Sequence, residues 1–154
     1  MRDILKTALV LSFFLLLPLN ILALEAEKDN RLSCTAKHLD TNEEVAVKTV
    51  PAITNKNIAT AQWPLGYPTI AINESDFIKL PENARQFIYY HECAHLKFQI
   101  EDEYETDCKS LELINENHPL SKINVRKLVE TLVKKFGMSR RWSELLQCES
   151  FRKL

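Results

Sequence analysis

The chain has 154 residues, with 20 Lys and Arg against 21 Asp and Glu, and its net charge of −1 leaves no basic footprint for nucleic acid. Two glycines in the whole chain exclude collagen-like and Gly-linker designs, and also the glycine-clustered loops that cradle phosphates. With 45% hydrophobic and 27% charged residues, the composition is that of a folded protein rather than a disordered one.

Residues 8–24 (ALVLSFFLLLPLNILAL) are almost wholly apolar and follow a short basic start containing Arg2 and Lys6. A charged start, an apolar stretch and small residues after it are the pattern of a secretory signal, here residues 1–26, with cleavage after Ala23 or Ala26. Pro18 and Asn20 interrupt the run, which is at the short end for a bilayer span, so no stable membrane insertion is expected after cleavage. The alternative is an uncleaved signal-anchor holding the same domain outside the membrane. No cysteine follows closely, so a lipoprotein anchor is not indicated. The 128 residues left of 154 after removal of 1–26 suit one domain, residues 27–154, in a secreted or periplasmic setting.

Export implies an oxidising compartment, and Cys34, Cys93, Cys108 and Cys148 are an even number. Four cysteines allow three pairings. The favoured one joins Cys93 to Cys108 across adjacent helices and Cys34 to Cys148 across the two ends of the mature chain; four buried thiols are the alternative. No C-x₂₋₄-C spacing exists, which argues against a cysteine zinc cluster.

Along the mature chain, short strands are expected around residues 32–37, at 45–50 (closed by Pro51), at 58–63 and at 69–73, with Pro64, Gly66 and Pro68 marking a turn. From Pro81 the pattern changes, and Phe87, Ile88, Tyr90, Cys93, Ala94 and Phe98 recur at helical spacing. Glu101, Asp102, Glu103 and Glu105 suit the start of a second helix ending near residue 115, because the helix dipole favours negative charge there. Ser121 caps a third, 123–136, with Gly137 ending it, and Ser139 caps a fourth, 140–151. The expected fold is α+β: a sheet of about three short strands, then about four helices, stapled by disulfides.

The first long helix carries His91-Glu92-Cys93-Ala94-His95. At 100° per residue, positions i and i+4 lie about 40° apart, so two imidazoles on one face can share a tetrahedral metal. Glu92 sits beside them, placed to take a proton from a water that the metal acidifies. With this chain's 4 His and 15 Glu, chance would give such a pentapeptide in roughly 1 sequence in 100, which sets a chance core pair aside. A catalytic zinc site also needs a third protein ligand. Glu103 and Asp107 are again i and i+4, on the next helix; a tight helical hairpin would bring Glu103 to the histidines and Asp107 to the distal nitrogen of a ligand imidazole.

H-E-x-x-H followed by E-x-x-x-D resembles the gluzincin zinc peptidases, a minigluzincin-like core in particular. The branch of prenyl-protein and heat-shock membrane proteases has a third-ligand motif E-[FY]-x-A-D, which here reads Glu103-Tyr-Glu-Thr-Asp107, with Thr106 in place of Ala. The resemblance covers about 50 residues, 59–108. It implies a zincin-like domain with one zinc per chain on His91, His95 and Glu103, Glu92 as general base and Asp107 behind a ligand. It also implies a peptide or protein substrate added as a strand along residues 69–73. Two departures stand out. The gap between His95 and Glu103 is short, leaving Glu101, Asp102 and Asp107 open as alternative ligands. No motif marks the group that would stabilise an oxyanion, for which Tyr67, Tyr104, His118, Arg140 and Arg141 are the candidates. The function implied is zinc-dependent peptide-bond hydrolysis outside the cytoplasm. The alternative is a secreted zinc-binding module without activity: an inhibitor, an adaptor or an envelope-assembly factor.

Overall fold

Residues 32–52, 57–137 and 139–154 are described by the computed structural model and belong to one unit spanning Arg31–Leu154. The signal sequence expected over residues 1–26, and its cleavage sites, lie outside the described residues. The domain is α+β, with two small sheets followed by helices.

Strands β1 (Thr35–Lys37) and β2 (Glu44–Ala46) form an antiparallel hairpin in which Ala36 faces Val45. Its turn uses Asn42 at φ 57, a conformation asparagine tolerates, and buried His38 accepts hydrogen bonds on Nδ1 from the Asp40 and Thr41 amides. The strand expected over 45–50 is divided at Val47. Val47 N still donates to Cys34 O on the hairpin, whereas Lys48 N donates to Pro68 O, so the chain changes partners there. Strand β3 (Lys48–Pro51) runs parallel to β5 (Thr69–Ile72), and β4 (Ala59–Gln62) runs antiparallel to β5 on its other side. The four residues of β5 are buried throughout, as suits a central strand reading Thr-Ile-Ala-Ile without polar alternation after Thr69. This corrects the expectation that residues 69–73 offer a free edge. The edges of this sheet are β3 and β4, each of which among the described residues pairs only with β5, and β4 is the one beside α2.

The turn between β4 and β5 places Leu65 at φ 53 and Gly66 at φ 80. A Cβ at Gly66 would come within 2.7 Å of both Asp40 Oδ2 and His38 Cε1, so a larger residue would push the Asp40 side chain and the buried His38 ring aside. Asn73 begins a short helix, α1 (Glu74–Phe77).

Helix α2 (Glu82–Phe98) begins after Pro81 and buries Ala84, Phe87, Tyr90, His91 and Ala94 along one stripe. It ends where Gln99 turns left-handed at φ 54. Four residues later α3 (Glu103–Asn117) starts on an Asp102 cap, whose side chain accepts from Glu105 N at 2.8 Å. Helices α2 and α3 pack along each other, and α4 (Lys122–Phe136), capped by Ser121 and stopped by left-handed Gly137, closes the core with Val125, Leu128 and Leu132. The expected fourth helix is broken into α5 (Ser139–Glu144), a 3₁₀ turn (Leu145–Gln147) and α6 (Glu149–Lys153). Cys148, extended at ψ 140, makes the break. Among the described residues no helix is long and apolar enough to cross a membrane.

Both disulfides form, but with partners other than those expected: Cys34–Cys93 and Cys108–Cys148, not Cys93–Cys108 and Cys34–Cys148. The helical wheel gives the reason. Cys93 lies about 200° from His91, so while His91 faces α3, Cys93 faces the hairpin. Cys108 in turn points to the C-terminal segment, which packs on α3.

Candidate metal centre

Residues 91–95 occupy the C-terminal half of α2, and residues 103–107 the first turns of α3. The tight turn lays these two stretches side by side. His91 Nε2 is 3.1 Å from His95 Nε2 and 3.3 Å from Glu103 Oε2, and His95 Nε2 is 3.7 Å from Glu103 Oε1. Ligands at about 2.0–2.1 Å in a tetrahedron are separated by about 3.3 Å, which the two imidazole nitrogens approach; different Glu103 oxygens face the two rings, and one ligand atom from each residue falls within 4.8 Å of the others. His91 is buried, His95 partly so, and Glu103 is 58% exposed at the mouth.

The far nitrogens are held. His91 Nδ1 lies 2.8 Å from Asp107 Oδ1, and His95 Nδ1 lies 2.6 Å from Ile100 O. Both acceptors call for a proton on Nδ1, which leaves two Nε2 lone pairs facing each other at 3.1 Å. That arrangement is unfavourable alone and favourable around a cation. The donor chemistry therefore fits a metal ion bound by His91, His95 and Glu103.

Arg141 ties this layer together from α5. Its guanidinium donates to Asp107 through Nε at 2.7 Å and Nη2 at 2.8 Å, and Nη2 also reaches Glu103 Oε2 at 2.7 Å. Burial acts to raise the Asp107 carboxyl, but hydrogen bonds from Arg141 and His91 outweigh it and hold it below its ordinary value. The same bond to Asp107 raises Arg141 further. Glu92 is displaced the other way: burial raises it, opposed by neighbouring His91 and by the Ala61 N–H, which donates to Oε2 at 2.7 Å.

His91, Glu92, His95, Glu103 and Arg141 line one side of a cleft of about 900 Å³. Residues 57–61 and Trp63 form the β4 side, and Phe87, Ile88, Phe136 and Trp142 an apolar end, where Trp142 meets Phe87 edge-on at 5.9 Å. No family model, curated protein or solved structure matches the chain.

Of the alternative ligands, Asp102 caps α3, Asp107 stands behind His91, and Glu101 lines the cleft without joining the donor group. Of the five oxyanion candidates, Arg141 lines the cleft. Tyr67 packs edge-on against His38 at 4.4 Å, Tyr104 is on the α3 surface, His118 stands near Tyr90 and Arg140 pairs with Glu144. Three participants were not singled out from sequence: the Ala61 amide on Glu92, the Ile100 carbonyl on His95 and the Thr106 hydroxyl. The first two are backbone groups and carry no residue signature.

Proposed function

We propose that this chain is an exported zinc metallopeptidase of gluzincin type. The observation that carries the proposal is the convergence of His91 Nε2, His95 Nε2 and the Glu103 carboxylate in a cleft that also contains Glu92 and an edge strand. Export is supported by the pattern of residues 1–26 and by the pairing of all four cysteines.

When bound, zinc would supply Lewis acidity to a peptide carbonyl and to the attacking water. The residues of the chain do the rest. Glu92 accepts the water's proton and passes it to the departing amine, and burial, by raising its carboxyl, suits it to both halves of that transfer. Asp107 and the Ile100 carbonyl keep the two imidazoles oriented, and Arg141 holds Glu103 and Asp107. Asn73 N donates to Ile58 O, so the antiparallel alternation turns the N–H and C=O of Ala59 and Ala61 away from β5. The Ala61 N–H is given to Glu92, and the Ala59 groups and the Ala61 C=O face the place where an extended peptide would pair.

The second reading, a zinc-binding secreted module without activity, is favoured by one observation. The Arg141 guanidinium is already bound to two carboxylates instead of being free for an oxyanion. Zinc stoichiometry of the oxidised chain beside Glu103→Gln tests the site. One zinc per chain, much weakened in the variant, is the expected result, and a chain that takes up none refutes it. A peptide-library digest with wild type and Glu92→Gln then separates the two readings: a peptidase loses turnover while keeping its metal.

A further inference from the structure

We infer that the apolar end of the cleft is a pocket for one large apolar side chain of the peptide, aromatic by preference, whose width is set by Ile88 and Phe136. This deepens the peptidase reading above and rests on it. The placement follows from α2. Phe87 and Ile88 lie one turn, about 6 Å, before His91 and Glu92, and the Phe87 ring centre is 6.2 Å from that of His91. An extended peptide advances about 3.3 Å per residue, so a side chain reaching this end belongs within about two residues of a carbonyl brought to the donor group.

Burial divides the four lining residues into base and sides. Phe87 is 1% exposed and Trp142 6%, and their edge-on contact at 5.9 Å closes the base. Ile88 and Phe136 are half-buried and leave apolar surface open to the cleft. Phe136 stands 6.1 Å from Trp142 at a tilt. Aromatic rings pair at centre distances of about 4.5–7 Å, so a further ring can join this set. Charge is disfavoured there, because none of the four side chains can pair with an ion, and the Arg141 guanidinium over Trp142 is already bonded to Glu103 and Asp107. Phe136 ends α4, following two lysines and preceding left-handed Gly137. Phe136 and Trp142 both lie beyond residues 59–108, the stretch that resembles the peptidases, so this part of the cleft is built by the chain's own α4 and α5.

The test is digestion of a peptide library by the oxidised, zinc-loaded chain, with the cut bonds read by mass spectrometry. At one fixed position within two residues of the bond, Phe, Tyr, Leu or Met should be cut at least about tenfold faster than Ala, Asp or Lys. Ile88→Trp, which narrows the pocket, should move that preference to small residues, and Phe136→Ala should extend it to Trp; thermal melts establish that each variant is folded, with Ile88→Phe in place of one that is not. Cutting without an apolar preference near the bond overturns the inference, as does a narrowed variant that keeps the wild-type preference. A chain that cuts nothing overturns the peptidase reading, and the pocket is then judged by binding alone. In ¹H–¹⁵N spectra, N-acetylphenylalanine amide should shift the Trp142 indole of wild type at a concentration at least about fivefold below that needed for N-acetylalanine amide, and should not shift it in the narrowed variant. Equal responses to the two amides, or none, overturn the inference.

Discussion

Replacing Arg141 by Met should expose how much of the domain depends on the link between α5 and α3. Methionine keeps much of the stem that packs on Trp142, over whose ring the guanidinium carbon sits at 4.9 Å, and removes the three N–H contacts. The contact to Glu103 counts for little, since that side chain is 58% exposed and an ion pair in water is worth about 0–1 kcal/mol. The two bonds to Asp107 matter more, because the carboxylate is 1% exposed and keeps only His91 as a partner once they are gone. Breaking a fully buried pair costs about 3–5 kcal/mol, and the partial exposure of Arg141 puts the expected loss near 3 kcal/mol. With a urea slope of about 1.5 kcal/mol/M, the midpoint of the metal-free oxidised protein should fall by about 2 M.

The pH dependence provides a second, independent mark. In wild type Asp107 is held below its ordinary 3.8, so its stabilisation is complete above that pH and is lost only as pH falls through the lower folded value. In the variant burial dominates and the folded value rises above the unfolded one, so protonation relieves the penalty as pH falls. The gap between the two proteins should therefore narrow from pH 7 to pH 4. Midpoints within about 0.3 M at pH 7, or a gap that widens in acid, would refute this account of the cluster.

Glu92→Gln should keep zinc within a few-fold, measured by competition with a chelator, and reduce hydrolysis at least a hundredfold. Cys108→Ser with Cys148→Ser opens a loop of sequence separation 40 and should cost about 2–4 kcal/mol in urea melts, with a smaller loss if the unfolded chain stays compact. Gly66→Ala should cost about 2–3 kcal/mol, because its Cβ would meet two side chains, while Gly137→Ala, with nothing within 4 Å, should cost about 1 kcal/mol for its left-handed backbone alone. Equal losses at the two glycines would disprove the close approach at Gly66.

What the sequence disclosed followed its local periodicities. The i, i+4 spacing of His91 with His95 and of Glu103 with Asp107 was visible, as were the Ser121 cap and the Gly137 stop, because each depends on neighbours within one or two turns. The division of residues 45–50 between two sheets was not, since nothing local to Val47 shows that its amide and the next have different partners. The break at Cys148 was hidden for a similar reason: that residue is bonded to Cys108, 40 residues away. The disulfide partners were within reach, as the wheel position of Cys93 opposite His91 already disfavours a bridge toward α3. Arg141 was only one basic residue among several, and its pairing with Asp107 spans 34 positions.

Each disulfide is anchored close to this layer in the chain, Cys93 two residues from both His91 and His95 and Cys108 directly after Asp107, the partner of His91. A small zinc-dependent fold usually gains its shape from the ion and collapses when a chelator takes it. Here the covalent links can set that shape first, so oxidation would precede loading and an ion would arrive at a finished socket. Chelation should then empty the protein without unfolding it.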